Sequence, residues 1–194
     1  MTWVTLKPDE ARTRRRRAAE HYRPDKIDVL FLCESPPAYR SRSESSYFYF
    51  ANNPSGDILF ATIVLAVLCQ EYRKAGGSKP DLLLVLKRKG YWLIDAVEYP
   101  INKTTNGAAA SDALRKEHIY QQKDKLLSKL RQLRDAGIMH DRTNVVLIKK
   151  LVFDTLAPSI RRCFQVPQEG PIPFPGYYGD EKTVRDIRAA MGCR

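Results

Sequence analysis

This chain of 194 residues lacks the apolar segments that would place it in a membrane or export it. Its longest apolar run, Ile58 to Cys69, is much shorter than the ~20 apolar residues that span a bilayer. The stretch from Met1 to Arg17 has no continuous apolar core of the kind that secretory signals contain. We therefore expect a cytoplasmic protein that does not contact a membrane.

The sequence motifs that usually bind metals or nucleotide phosphates are also missing. The four cysteines, Cys33, Cys69, Cys163 and Cys193, form no C-x-x-C pair, so neither a zinc site nor a disulfide framework is predicted. The three histidines are scattered along the chain, and no G-x-x-x-x-G-K-[ST] loop occurs. We expect no metal and no cofactor.

Positive charge is abundant. Lys and Arg number 33 against 22 Asp and Glu, which gives a net charge of +11. Residues 1–26 contribute +4 of this excess, and the remaining +7 is spread over residues 27–194. Such a surface attracts phosphates irrespective of base sequence, which favours DNA as the partner. Arg14, Arg15, Arg16 and Arg17 are the predicted phosphate contacts, although a run of arginines can also be a solvated helix face.

Hydrophobic patterning predicts alternating helices and strands. Strands are predicted at residues 28–33, 91–97, 144–148 and 163–166, and helices at residues 8–22, 58–76, 82–89, 112–136, 151–156 and 181–191. Asp57 and Asp180 are predicted to cap the second and the last of these helices, and Ser111 with Asp112 to open the fourth. Strands that alternate with helices indicate a parallel sheet covered on both faces. We predict a three-layer α/β/α fold with a central four-stranded parallel sheet of order 2-1-3-4. Residues 1–26 are predicted to form a basic helical extension to a domain at residues 27–194, and the protein is expected to be a monomer.

Ligand sites in such sheets lie beyond the carboxyl ends of the strands. This rule selects Glu34 to Pro37, Asp95 to Asn102 and Gly170 to Tyr178. The sequence C-E-S-P-P after the first strand resembles the first motif of the uracil-DNA glycosylase superfamily, written G-E-A-P-G or G-Q-D-P-Y. The segment L-I-D-A-V-E-Y-P-I-N is similar to its second strand, I-T-N-A-V-K-x-x-P-x-N, and I-P-F-P-G is similar to its closing H-P-S-P-L loop.

The resemblance implies a base-excising enzyme, in which the base is flipped into a pocket and water attacks C1′ of its sugar. Glu34 matches the motif glutamate, and a carboxylate there can orient the water and stabilise positive charge on the sugar. Ser35 and Pro36 would line the base pocket. Phe48 follows Glu34 at about the distance of the family's base-stacking phenylalanine, although core packing is an alternative for an aromatic residue in this stretch.

Asp95 stands where the resemblance places an asparagine that reads uracil. An ionised aspartate has no hydrogen-bond donor for uracil O4, but it can accept from the N4 amino group of cytosine. If Asp95 is protonated, its hydroxyl can also reach N3. The substitution therefore argues for a cytosine-type base, and a modified one because ordinary cytosine must be spared. The alternative is that Asp95 caps a turn or pairs with a nearby arginine.

The closing loop also departs from the family pattern. Ile172 occupies the position of a histidine that bonds the base, so it is a predicted base contact, and Phe174 replaces a serine that contacts phosphate. Pro173, Phe174, Gly176, Tyr177 and Tyr178 would contact DNA, since side chains in such a loop can wedge between bases. A plain surface turn is the alternative interpretation.

Together these features predict a DNA N-glycosylase that acts on a flipped, modified base, in base-excision repair or in defence against modified DNA. Glu34 and Asp95 are its predicted catalytic residues. Because Ile172 cannot stabilise a departing base, a DNA-binding module of the same fold without catalysis stays open as an alternative. A further alternative is an unrelated α/β protein that binds or hydrolyses nucleotides.

Overall fold

The computed structural model of the chain describes residues 8–37, 47–50, 57–69, 78–104, 107–177 and 180–192. Tyr178, one of the predicted DNA contacts, lies outside these ranges. The elements in chain order are α1 (Pro8–His21), β1 (Ile27–Cys33), α2 (Ile58–Leu68), α3 (Lys79–Arg88), β2 (Tyr91–Asp95), α4 (Asp112–Asp135), β3 (Met139–Leu147), α5 (Lys150–Ile160) and α6 (Glu181–Ala190).

The three strands form a parallel sheet of order β2-β1-β3. Leu30 of the central strand pairs with Trp92 on one side and with Val145 on the other. Residues 29–33 of this strand are buried, as its continuous apolar sequence predicts for a strand covered on both faces. The predicted α/β class and the parallel sheet are thus confirmed.

The predicted fourth strand at residues 163–166 is wrong. Gln165 makes a single isolated parallel bridge with Asn144, and its carbonyl accepts from the Val145 amide at 2.8 Å. The ladder cannot continue, because Pro167 has no amide hydrogen to donate. Instead, the buried side-chain amide of Gln168 bonds both the N–H and the carbonyl of Leu147, at 2.9 and 2.6 Å. A side chain therefore occupies the position at this edge that a further strand would fill.

The helix starts follow the predicted caps. The side chains of Asp57, Ser111 and Asp180 accept hydrogen bonds from backbone amides three residues later, at 2.9, 3.2 and 3.2 Å. Several ends differ from prediction, because apolar patterning marks the interior of an element better than its ends. Helix α2 stops at Leu68, since Cys69 adopts a left-handed conformation with φ 53°. Strand β2 ends at Asp95, and β3 begins at Met139 through an irregular pairing with β1.

Helices lie on both faces of the sheet. Parallel crossovers are right-handed, so the β1-to-β2 and β2-to-β3 connections, which run in opposite directions, cover opposite faces. Helix α6 packs on α2, and α5 packs on α4. Helix α1 packs beside β2, where the Trp92 indole donates to the carbonyl of Ala19 at 3.0 Å and Tyr22 stacks on Tyr49 at 5.9 Å. The division at residue 26 stays a prediction.

Among the described residues, the structure contains no helix with the length and apolar character needed to cross a membrane.

Candidate functional site

The carboxyl ends of β1 and β2 meet at one edge of the sheet. Cys33 of β1 pairs with Asp95 of β2 in the sheet register. Glu34, the residue after Cys33, therefore leaves the sheet beside Asp95. The Ala96 amide donates to the Cys33 carbonyl at 2.8 Å, and the Val97 amide donates to the Glu34 carbonyl at 3.0 Å. These bonds continue the pairing beyond the strands. They fix the backbone of both predicted catalytic residues relative to each other.

A cavity of about 310 Å³ opens at this edge. Its volume lies at the lower end of the range for small-molecule sites. The predicted site residues that line it are Glu34, Ser35, Pro36, Phe48, Asp95 and Phe174. The lining also includes Tyr47, Asp57, Asn102 and Lys149, which were not predicted as site residues. The fold thus brings together most of the base-binding set that the sequence indicated.

Glu34 is a buried carboxylate held by two cations. Its side chain is 3% exposed, and the Lys149 ammonium donates a hydrogen bond to Oε2. The Arg115 guanidinium lies on the other side, with Nε 3.3 Å from Oε1. That contact lacks hydrogen-bond geometry, so Oε1 has no donor among the described residues. The two cations compensate the buried charge, and Oε1, although buried, keeps unused capacity as a hydrogen-bond acceptor.

The backbone is strained at Lys149, which forms this ion pair with Glu34. It follows Ile148 at the end of β3 and precedes α5, and its φ of 87° lies in a region that residues with a Cβ atom rarely adopt. Its amide donates to the carbonyl of Ile172 at 2.8 Å. Strain of this kind is commonest at functional sites, where the surrounding structure enforces it. The sequence prediction missed Lys149, although it comes directly after the third strand, where the rule for strand ends applies.

Asp95 carries a strongly perturbed carboxyl group. Its pKa is raised to about 7, chiefly by burial and also by the nearby Glu34 carboxylate, while Arg15, Lys129 and Lys149 oppose the rise. At neutral pH the protonated and ionised forms of Asp95 therefore coexist. The protonated form can donate one hydrogen bond and accept others, whereas the ionised form only accepts.

An aromatic wall closes one side of the cavity. Phe48 is 6% exposed and packs edge-to-face against Phe60, with ring centroids 5.4 Å apart. The Tyr49 hydroxyl donates to the Leu93 carbonyl at 2.9 Å and accepts from its amide at 2.7 Å, which anchors this segment to β2. Phe48 is consequently both a core residue and a cavity-lining residue, so its two predicted roles are compatible.

Behind the aromatic wall lies a buried ion pair. The Lys79 ammonium is 3.0 Å from the carboxylate of Asp57, whose other oxygen caps α2. Burial raises the pKa of Asp57 and lowers that of Lys79, and their mutual attraction opposes both changes. The Lys79 ammonium also donates to the Tyr47 carbonyl at 3.3 Å. This pair ties α2 and α3 to the aromatic segment.

Two predicted contacts need correction. Arg15 was predicted to bind phosphate, but it is only 3% exposed and donates to the Pro37 carbonyl at 2.8 Å, because it lies on the inner face of α1 with Ala11. Ile172 was predicted to contact the base, but its side chain is buried and is not part of the cavity lining. It contributes its carbonyl to Lys149 instead.

The other predicted DNA contacts are accessible in varying degree. Arg14, Arg16 and Arg17 are exposed on α1. Phe174 is 46% exposed at the cavity and Tyr177 is 63% exposed nearby in the chain, while Pro173 is partly buried. Gly176 has open space around its Cα. The contacts among the described residues do not join these positions into one surface patch, so their role in DNA binding stays a prediction.

Comparison of the chain with protein-family models, with curated proteins and with solved structures found no match.

Proposed function

We propose that this protein is a DNA N-glycosylase that releases a modified cytosine-type base from a flipped nucleotide, as a divergent member of the uracil-DNA glycosylase superfamily. The observation that carries the proposal is the cavity at the end of the sheet. In it a buried carboxylate whose Oε1 has no hydrogen-bond donor among the described residues, Glu34, and a second carboxyl group, Asp95, line one pocket beside an aromatic wall.

Glu34 would act on the attacking water. Its Oε1 can accept a hydrogen bond from a water molecule and so aim the water oxygen at C1′ of the sugar. The new O–C1′ bond forms as the C1′–N bond breaks, and the base nitrogen keeps the bonding electrons and takes up the proton that the water loses. The negative charge of Glu34 stabilises the positive charge that the sugar develops in this step.

Asp95 would select the base. A cytosine edge presents the N4 amino donor and the N3 acceptor, and a protonated Asp95 can accept from the first while donating to the second. A pKa of about 7 makes this protonated form available at neutral pH. Uracil presents the acceptor O4 and the donor N3–H instead, which a protonated carboxyl matches only with its proton on the other oxygen. The preference for cytosine therefore requires the proton of Asp95 to stay on the oxygen that faces N3.

Net charge and position favour DNA as the carrier of the base. The charge of +11 promotes binding to a polyanion, and Arg12 and Arg16 of α1 line one cavity with Asp95 at the end of β2. Repair of modified bases and defence against DNA that contains them are both compatible with this chemistry.

A DNA-binding module without catalysis is the second candidate. It is favoured by Ile172, whose apolar side chain cannot donate a hydrogen bond to a departing base. Lys149 weakens the case for this module without catalysis, because its ammonium places a positive charge in the cavity from which a base would depart.

The test is direct. Oligonucleotides with uracil, cytosine or various 5-substituted cytosines are incubated with the protein, and free base is sought by mass spectrometry. We expect release of a modified cytosine with formation of an alkali-labile abasic site. Tight DNA binding without release of any base would favour the binding module instead.

A further inference from the structure

A second cavity of about 270 Å³ lies beside the first, between α1, the end of β2 and α4. The two cavities share the wall that Pro36, Tyr47, Leu93 and Asp95 build. Asp95 therefore faces two separate spaces. The cleavage chemistry described above uses only the first of them.

The second cavity is mainly cationic. Five of its lining residues are positively charged and three are carboxylic acids; the cations are Arg12, Arg15, Arg16, Lys125 and Lys129, and the acids are Glu20, Asp95 and Glu98. Two of the acids already have partners. Glu20 pairs with Arg23 at 2.7 Å, and Glu98 pairs with Lys125 at 2.9 Å.

Two cations remain available to a ligand. Lys129 is 3.9 Å from Glu98, beyond hydrogen-bond distance, and its ammonium lies 5.8 Å from the centre of the Trp92 ring. Arg16 is exposed and belongs to no ion pair among the described residues. Arg15 adds positive charge from within the wall, where its guanidinium lies 5.8 Å from the Tyr47 ring. The cavity thus presents the Lys129 ammonium of α4 and the Arg16 guanidinium of α1, and the buried guanidinium of Arg15 lies in its wall.

We propose that this second cavity binds a phosphate group through Arg16 and Lys129. Fixed guanidinium and ammonium groups on facing elements are the usual ligands of phosphate in proteins. The two cavities adjoin at the residues they share, so the occupant inferred for the second is the phosphate of a nucleotide whose base lies in the first. The identity of the occupant as a nucleotide rests on the proposed function, whereas phosphate binding itself requires no cleavage.

Binding of phosphate here would also change Asp95. The charged groups around this carboxyl are Arg15 of α1, Lys129 of α4, Lys149 after β3 and Glu34 after β1. A phosphate beside Arg15 and Lys129 would offset their positive charge and make ionisation of Asp95 less favourable. The phosphate would therefore favour the protonated form, which is the form that matches both polar groups of a cytosine edge.

The test compares ligands that differ only in the phosphate. Calorimetric titration of the full chain with 2′-deoxycytidine 5′-monophosphate and with 2′-deoxycytidine isolates the phosphate contribution. We expect the monophosphate to bind at least about tenfold more tightly. Arg16→Ala and Lys129→Ala should each remove most of this difference. Lys116→Ala is the matched control, since it removes one exposed charge from α4 outside the cavity.

A methyl diester of the same nucleotide identifies the source of the phosphate. Binding of monoester and diester alike assigns the site to nucleic acid, and binding of the monoester alone assigns it to free nucleotides. Equal binding of nucleoside and monophosphate, no binding of either ester, or equal effects of Lys129→Ala and Lys116→Ala would overturn the proposal. If the phosphate contributes to affinity but no base is released, only the proposed glycosylase activity is contradicted. If base is released but the phosphate contributes nothing to affinity, only the phosphate site in the second cavity is contradicted.

Discussion

The Lys149 ammonium donates a hydrogen bond to the buried carboxylate of Glu34, which joins the carboxyl ends of β1 and β3 across the floor of the cavity. Arg115 of α4 contacts the same carboxylate from the opposite side. Glu34 is therefore fixed by two elements of the fold that the first sequence motif does not contain.

Replacement of Glu34 by glutamine should abolish most base release. The amide keeps the shape of the side chain but lacks the negative charge that stabilises the sugar, so we expect single-turnover rates to fall by about 10²–10⁴-fold. DNA affinity should change little. Glu117→Gln is the control, since Glu117 is exposed on α4 and bonds only Gln121 among the described residues. Equal rates for wild type and Glu34→Gln would assign Glu34 a structural role.

The backbone strain at Lys149 predicts how alanine and glycine substitutions there differ in the free energy of unfolding. Both Lys149→Ala and Lys149→Gly lose the ion pair, but only glycine accepts a φ of 87° at no steric cost. We expect the glycine variant to be more stable by about 1 kcal/mol in urea unfolding. At Lys150, in the first turn of α5, the order should reverse, because glycine weakens a helix relative to alanine. The same order at both positions would show that the Lys149 backbone is not strained.

The pKa of Asp95 predicts how stability depends on pH. Between the unfolded value near 4 and the folded value of about 7, the folded state holds a proton that the unfolded chain has released. Stability should therefore fall as pH rises through this window, by up to about 4 kcal/mol from this group. Asp95→Asn should remove that contribution and be the more stable protein at pH 8. Urea unfolding at pH 5 and pH 8 tests this, with the exposed Asp124→Asn as control.

DNA affinity should depend on salt and on the exposed arginines of α1. Arg14→Ala combined with Arg17→Ala should weaken binding and reduce the slope of log affinity against log salt by about 2, if each arginine neutralises one phosphate. Base preference should not change, since phosphate contacts carry no sequence information. Arg88→Ala with Arg142→Ala is the control pair, because both lie near the amino ends of the strands. Salt-independent binding would exclude phosphate contacts as the source of affinity.

Much of the fold was predictable because it depends on local patterns. The apolar run of β1 and the caps at Asp57 and Ser111 specify elements by short-range chemistry, and the structure confirms them. The fourth strand was not predictable in this way. Whether residues 163–166 pair depends on Pro167 and on the side chain of Gln168, which bonds the edge of β3 at Leu147, far back along the chain.

The site was predictable only in part. Glu34 and Asp95 follow strands that the sequence marks clearly, and both line the cavity. Lys149 and Arg115 reach Glu34 from residues far along the chain, and pairing at such separation leaves no local pattern. Arg15 was misjudged within a run of four arginines, although its spacing of four from buried Ala11 places both on one helix face.

The most direct measurement of the central claim compares base preference in wild type and Asp95→Asn. Single-turnover rates are measured on matched duplexes that carry either a modified cytosine or uracil, and their ratio is taken because overall activity can change for other reasons. We expect wild type to prefer the modified cytosine and Asp95→Asn to shift the ratio toward uracil by at least about tenfold. Ready excision of uracil by wild type, or the same ratio in both proteins, would contradict the claim that Asp95 reads the base.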